Sequence, residues 1–156
     1  MKKWVLFVCF GNICRSTMAE AIFIHLLQKR QIEQKWKVDS AGHGNWHLGK
    51  APEERTLQVL SQNNIRGYTH TARLITNDDF ATFDYILCMD DYNLRNLKYM
   101  KPTGSKSLIY RLGDFDPKGE KIIFDPYFSD SIEAYKEVYR QCCRCCQAFL
   151  SQVQGN

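Results

Sequence analysis

The stretch VCFGNICRST, residues 8–17, decides how this chain is read. It follows the apolar run Trp4-Val5-Leu6-Phe7 and precedes residues of helical periodicity, so it forms the first strand-to-helix connection. Lys3 to Cys9 is expected as a buried strand, and Thr17 to about Gln34 as a helix with Ile22, Phe23, Leu26 and Leu27 at helical spacing. Thr17 with Glu20 three positions on fits a capping box at the helix start.

Working outward, Trp36 to Ser40 reads as a second short strand ending in Ala41-Gly42, and Pro52 to about Asn63 as a helix with Leu57 and Leu60 on one face. Thr76-Asn77-Asp78-Asp79 is a capping signature that opens a short helix, Tyr85 to Met89 a strand, and Asp90 to about Tyr99 a helix. Leu108 to Leu112 makes the fourth strand, and Asp130 to Val153 the final helix. Strands alternating with helices predict one three-layer α/β domain over residues 1–156, a Rossmann-like four-stranded parallel sheet flanked by helices.

The 156 residues are 44% hydrophobic and 24% charged, a globular composition that excludes a fibrous or disordered chain. Net charge is +4, but Lys and Arg are interspersed with Asp and Glu, which permits an anionic substrate and gives no reason to expect nucleic acid as a partner. No segment has signal-peptide or membrane-span length, so no membrane association is expected and a cytoplasmic location is the default. Seven cysteines, an odd number without framework spacing, read as thiols.

In a parallel α/β sheet the ligand crevice lies at the carboxyl ends of the strands, where Cys9 to Ser16 falls. A loop entering a helix aims unpaired N–H groups and the positive end of the helix dipole at one spot, which suits a phosphate-like dianion. Arg15 adds a planar fork for two oxygens of that anion, and the same field favours a thiolate at Cys9, a nucleophile already facing it. Gly11 permits close approach, Asn12 tolerates the left-handed conformation of a tight turn, and the Ser16 hydroxyl can donate to the thiolate. The chain has neither G-x-G-x-x-G nor G-x-x-x-x-G-K-[ST], which disfavours a dinucleotide or ATP site.

Together, VCFGNICRS, Asp39-Ser40-Ala41-Gly42, His70-x-Ala72-Arg73, Leu87-Cys88-Met89-Asp90 and Asp125-Pro126-Tyr127 resemble the low-molecular-weight protein tyrosine phosphatases over nearly the whole length, in order and spacing. The resemblance implies the phosphotyrosine phosphatase I-like fold and metal-free, cofactor-free phosphomonoester hydrolysis. Its partners would be phosphotyrosine-containing proteins and small aryl phosphates, with phosphate-like anions as competitive inhibitors. It implies Cys9 as nucleophile, Arg15 as phosphate ligand and Asp125 as the acid that protonates the leaving phenolate and then activates water. Phe10, Gly11, Asn12, Ile13, Cys14, Arg15 and Ser16 would form the phosphate loop, supported by Asn12, Ser16, Ser40 and His70, with Trp46 and Tyr127 as an aromatic rim. Cys14 would capture an oxidised Cys9 as a protective disulfide, while a merely packed thiol remains the alternative.

Two positions depart from the family pattern: Thr17 stands where many members carry proline, and Phe128 replaces a second tyrosine of animal members, which removes a possible phosphorylation site. The run Cys142-Cys143-Arg144-Cys145-Cys146 invites a metal reading. Against it, Ile132, Tyr135, Tyr139, Cys142, Cys146, Phe149 and Val153 recur at helical spacing, which puts at least two of these thiols on the core stripe, so core or surface thiols are expected and no metal site. The rivals are an arsenate reductase of the same fold, for which no mobile cysteine pair is apparent, and a binding-only phosphoprotein module, which needs no thiolate and acid together. A protein arginine phosphatase, typically with threonine where this chain has Ile13, is the third.

Overall fold

A computed structural model describes residues 1–154; Gly155 and Asn156, the last two of the expected 1–156 unit, lie outside the described residues. In chain order the elements are β1 (Lys3–Cys9), α1 (Arg15–Lys29), β2 (Trp36–Gly42), α2 (Glu54–Gln62), α3 (Asn77–Thr82), β3 (Tyr85–Cys88), α4 (Asp91–Met100), β4 (Leu108–Arg111) and α5 (Ile132–Val153). Short 3₁₀ turns cover Glu33–Lys35 and Leu112–Phe115. The sheet is wholly parallel in the order β2-β1-β3-β4.

Because successive side chains of a strand point to opposite faces, β1 feeds both cores. Val5, Phe7 and Cys9 face a cluster that takes in α1, α2 and α5, while Leu6 and Val8 face a smaller one with Phe80 of α3 and Leu97 of α4. Both faces being covered explains why β1 and β3 read as continuous apolar runs rather than alternating ones. Central β1 ends with Cys9 level with Gly42 of β2, which places the loop after it in the crevice at the carboxyl edge of the sheet.

The structure corrects several boundaries. Helix α1 begins at Arg15 rather than Thr17 and ends at Lys29 rather than near Gln34, since Gln31 takes a positive φ of 57° and turns the chain into Glu33–Lys35. The expected Thr17/Glu20 capping box does not form: Cys14 occupies the N-cap with no side-chain cap, and Thr17 Oγ1 donates to Cys14 O instead. Helix α2 starts at Glu54, capped by Glu53, and buries Thr56, Val59 and Leu60, leaving Leu57 half-buried. Met89 and Leu112 fall just past β3 and β4. Asp90 caps α4 and Ser131 caps α5.

The capping box at Thr76 forms as the sequence predicts, with Asp79 at its third position. Along α5 the stripe Tyr135, Cys142, Cys146 and Phe149 is fully buried, but Val138, Gln141, Cys145 and Leu150 widen it, while Ile132, Tyr139 and Val153 only edge the core. Helix α5 packs on both α1 and the 3₁₀ turn after β4, so a narrow seam would leave one of those contacts bare. Cys142, Cys145 and Cys146 point inward and Cys143 is half-buried, so the cluster spreads around the helix. No described helix is long and apolar enough to cross a membrane.

Candidate active site

From Cys9 the chain winds around the nucleophile candidate before entering α1. Asn12 holds a left-handed φ of 58°, a conformation Asn adopts more readily than other non-glycine residues. A Cβ on Gly11 would come within 2.8 Å of His47 Cδ2, so glycine is what lets the imidazole close over the loop. The Asn12 N–H points back at Cys9 Sγ (3.3 Å), and Ser16 Oγ lies 3.0 Å from the same sulfur.

Donor accounting fixes the direction of these bonds. The two hydrogens of Asn12 Nδ2 go to Ser16 Oγ (2.8 Å) and Ser40 Oγ (3.0 Å). Ser16 therefore accepts from Asn12, and its own hydrogen is free to point at Cys9 Sγ. Asn12 Oδ1 can only accept, and takes bonds from His70 Nε2 (2.8 Å) and the Arg73 N–H (3.1 Å). One buried side chain thus uses its full capacity to tie the loop to α1, to β2 and to the 70–73 segment.

Behind Asn12 the network continues outward. Ser40 Oγ and Tyr68 OH both donate to Glu20 Oε1 at 2.6 Å, and His70 Nδ1 faces Glu20 and Asp39 at 3.6 and 3.8 Å. Burial pushes the Glu20 carboxyl up to about 7, although the hydroxyls of Ser40 and Tyr68 pull it back, and burial lowers His70. Arg73 bridges Asp39 and Asp79 and so fastens the strand end at β2 to α3. Glu20, Asp39 and His70 offer ligand atoms within 4.8 Å of one another, the arrangement a cation would need, but Glu20 Oε1 and Asp39 Oδ2 already serve hydroxyl and guanidinium donors.

Arg15, 3% exposed, is held from the opposite side. Its Nη1 donates to Asp90 Oδ2 (2.6 Å) and to Ile123 O (2.8 Å), and its Nη2 lies 3.8 Å from Asp125 Oδ2. Arg15 Nε is buried without a partner. Asp125 sits in an irregular segment between β4 and α5, where its Oδ1 accepts from the Tyr127 N–H and leaves Oδ2 toward Arg15.

Cys9, Phe10, Gly11, Asn12, Ile13 and Cys14 line one cleft with Asp125 and Tyr127 on its far wall and Trp46 at its edge. Of the loop residues singled out from the sequence, Phe10 to Cys14 line this cleft, whereas Arg15 and Ser16 do not: Ser16 reaches the site through its contact with Cys9 Sγ and Arg15 through Asp125, and Ser40 and His70 stand one layer behind through Asn12. The rim is larger than expected: His47 and Phe128 also line the cleft, with the Tyr127 ring edge-on to both His47 (4.9 Å) and Phe128 (5.1 Å). Trp46 packs its edge against Phe10 at 5.3 Å and is 66% exposed. Cys14 is buried against Tyr135 OH (3.5 Å), and burial pushes its thiol up to about 12.

The family model described as "Low molecular weight phosphotyrosine protein phosphatase" matches residues 4–156. A pig protein of that name is 45% identical over 154 residues, spanning 97% of this chain and 96% of its own length. Among solved structures, one titled as a Drosophila arginine phosphatase superposes with a TM-score of 0.91 at 42% identity, covering 98% of each chain. A protein tyrosine phosphatase from Entamoeba histolytica superposes with a TM-score of 0.93 at 28% identity, covering 99% of this chain and 98% of that one.

Proposed function

This chain belongs to the low molecular weight phosphotyrosine protein phosphatase family and is a phosphatase, and from that premise we propose that it hydrolyses protein phosphotyrosine through a phosphocysteine on Cys9. The observation that carries this reading is the facing pair: Cys9 Sγ cradled by the Asn12 N–H and the Ser16 hydroxyl, with Asp125 across the same cleft.

In the first step the Cys9 thiolate attacks phosphorus. Arg15 Nε and Nη2, the donors its other partners leave free, take two of the phosphoryl oxygens, and the loop N–H groups share the developing charge. The bond to the phenolic oxygen breaks as Asp125 gives that oxygen its proton. In the second step the Asp125 carboxylate takes a proton from water, the water oxygen attacks phosphorus, and the sulfur leaves as a thiolate held by Ser16 and the Asn12 N–H. After peroxide converts Cys9 to a sulfenic acid, the Cys14 thiol would condense with it to a disulfide and release water.

The rim supports the choice of substrate. Trp46, Tyr127 and Phe128 line the same cleft as Cys9, so an aryl ring carried by the phosphate has aromatic partners there that a serine side chain is too small to use. The likeness to a structure titled as an arginine phosphatase makes phosphoarginine the competing substrate; Ile13, an apolar residue of the loop that lines the cleft, favours the ring over a guanidinium. The test is hydrolysis of p-nitrophenyl phosphate near pH 5–6 in EDTA by the wild type and Cys9→Ser. Chelator-resistant turnover abolished by the substitution is expected, followed by faster release of phosphate from phosphotyrosine than from phosphoarginine peptides. A folded, reduced wild type that turns over none of these overturns the reading.

A further inference from the structure

We propose that Gln141 on α5 and Arg55 on α2 are positioning residues that bracket the Asp125 carboxyl; this rests on the role assigned to Asp125 above. The segment bearing Asp125 has no helix or strand to fix it between the 3₁₀ turn Leu112–Phe115 and α5. Ahead of Asp125, Gln141 Nε2 donates to Ile122 O (3.1 Å) and to Glu120 Oε2 (3.2 Å). Beyond it, Arg55 donates from Nη1 to Ser129 O (2.6 Å) and from Nη2 to Tyr127 O (3.2 Å).

Both side chains are themselves held. Gln141 is 5% exposed, so its amide has few alternatives to these two acceptors. Arg55 keeps its guanidinium 4.5 Å above the Tyr135 ring and its Nε on Glu53. Between the two braces, among the described residues, the backbone is tied to the rest of the fold through Ile123, whose N–H donates to Met89 O and whose carbonyl accepts from Arg15. Removing either brace frees one end of a short span, and the carboxyl it carries moves relative to Arg15 without any loss of the phosphate loop.

A displaced acid hurts only a reaction that needs a proton. Phenyl phosphate, with a basic leaving group, requires Asp125 to protonate it; 2,4-dinitrophenyl phosphate, with an acidic one, largely does not. For Gln141→Met, which keeps the shape and removes the donor, kcat/KM on phenyl phosphate is expected to fall about 10-fold and on 2,4-dinitrophenyl phosphate by less than about 2-fold. Arg55→Met, at a side chain 28% exposed, is expected to do the same and answers the question if the buried substitution fails to fold. Equal losses on both substrates, or no loss on either, overturn the positioning role while leaving the phosphatase reading intact. Absence of wild-type turnover on both substrates removes that reading and this one together.

Discussion

Replacing Asn12 by alanine tests the account of the loop most directly, because that side chain carries four hydrogen bonds in a buried position. At about 1 kcal/mol net for each bond, their loss costs about 4 kcal/mol. Alanine at a φ of 58° adds about 1 kcal/mol, since the left-handed region crowds its Cβ. The sum, about 5 kcal/mol, is a third or more of the stability of an ordinary domain. Asn12→Gly loses the same bonds but adopts the conformation freely, so it is expected to be about 1 kcal/mol more stable than the alanine variant. The assay is urea unfolding followed by circular dichroism in phosphate-free buffer, so that no anion rebuilds the loop. An alanine variant within 1 kcal/mol of wild type, or a glycine variant less stable than the alanine one, would refute the reasoning.

Three further outcomes follow from single features. Burial pushes Cys14, Cys88 and Cys145 up to about 12 and Cys142 and Cys146 well above the ordinary thiol value, so at pH 7 a thiol titrating near 12 is thiolate in only about one part in 10⁵. Limited iodoacetate treatment of the native protein at that pH should place one label, on Cys9, slowed by inorganic phosphate; comparable labelling of several cysteines by peptide mass mapping contradicts this. Raising the pH toward 12 should bring Cys14 into reach, because only its deprotonated form reacts. Trp46→Ala should lower kcat/KM for a phosphotyrosine peptide about 5-fold, the equivalent of about 1 kcal/mol of ring contact, and leave the melting temperature unchanged because the side chain is largely exposed. Thr76→Ala removes one half of a formed capping box and should cost about 1 kcal/mol in urea unfolding; no measurable loss would mean that the box contributes nothing.

What could be seen in the sequence was whatever is written in short-range pattern. The apolar run of β1, the signature at Thr76 and the stripe of α5 are local, and they appear where the spacing puts them. The start of α1 is not legible in the sequence because the usual cap signal assumes that the first N–H groups of a helix want a side-chain acceptor. Here Cys14 at the N-cap offers none, so the helix starts without the side chain that the signal looks for. Glu20, at the spacing of that cap, is the outer end of the chain running through Ser40 to Asn12. Asp90 was visible as a helix start, with its second oxygen on Arg15 invisible, since the two are 75 positions apart and nothing local marks the pairing. His47 and Phe128 were missed as cleft walls for the same reason. The nearest available signal for His47 was the glycine opposite it in the loop, whose missing Cβ leaves room for something.

The bond from Arg15 to the Ile123 carbonyl spans 108 positions of chain, and Asp125 comes only after it. During synthesis the thiol-bearing loop therefore leaves the ribosome long before the carboxyl that would complete the chemistry, and before the helix that braces it. If Cys9 and Asp125 act as proposed, a nascent chain holds the thiol without its proton donor, and turnover of substrates that need that proton awaits completion of the fold.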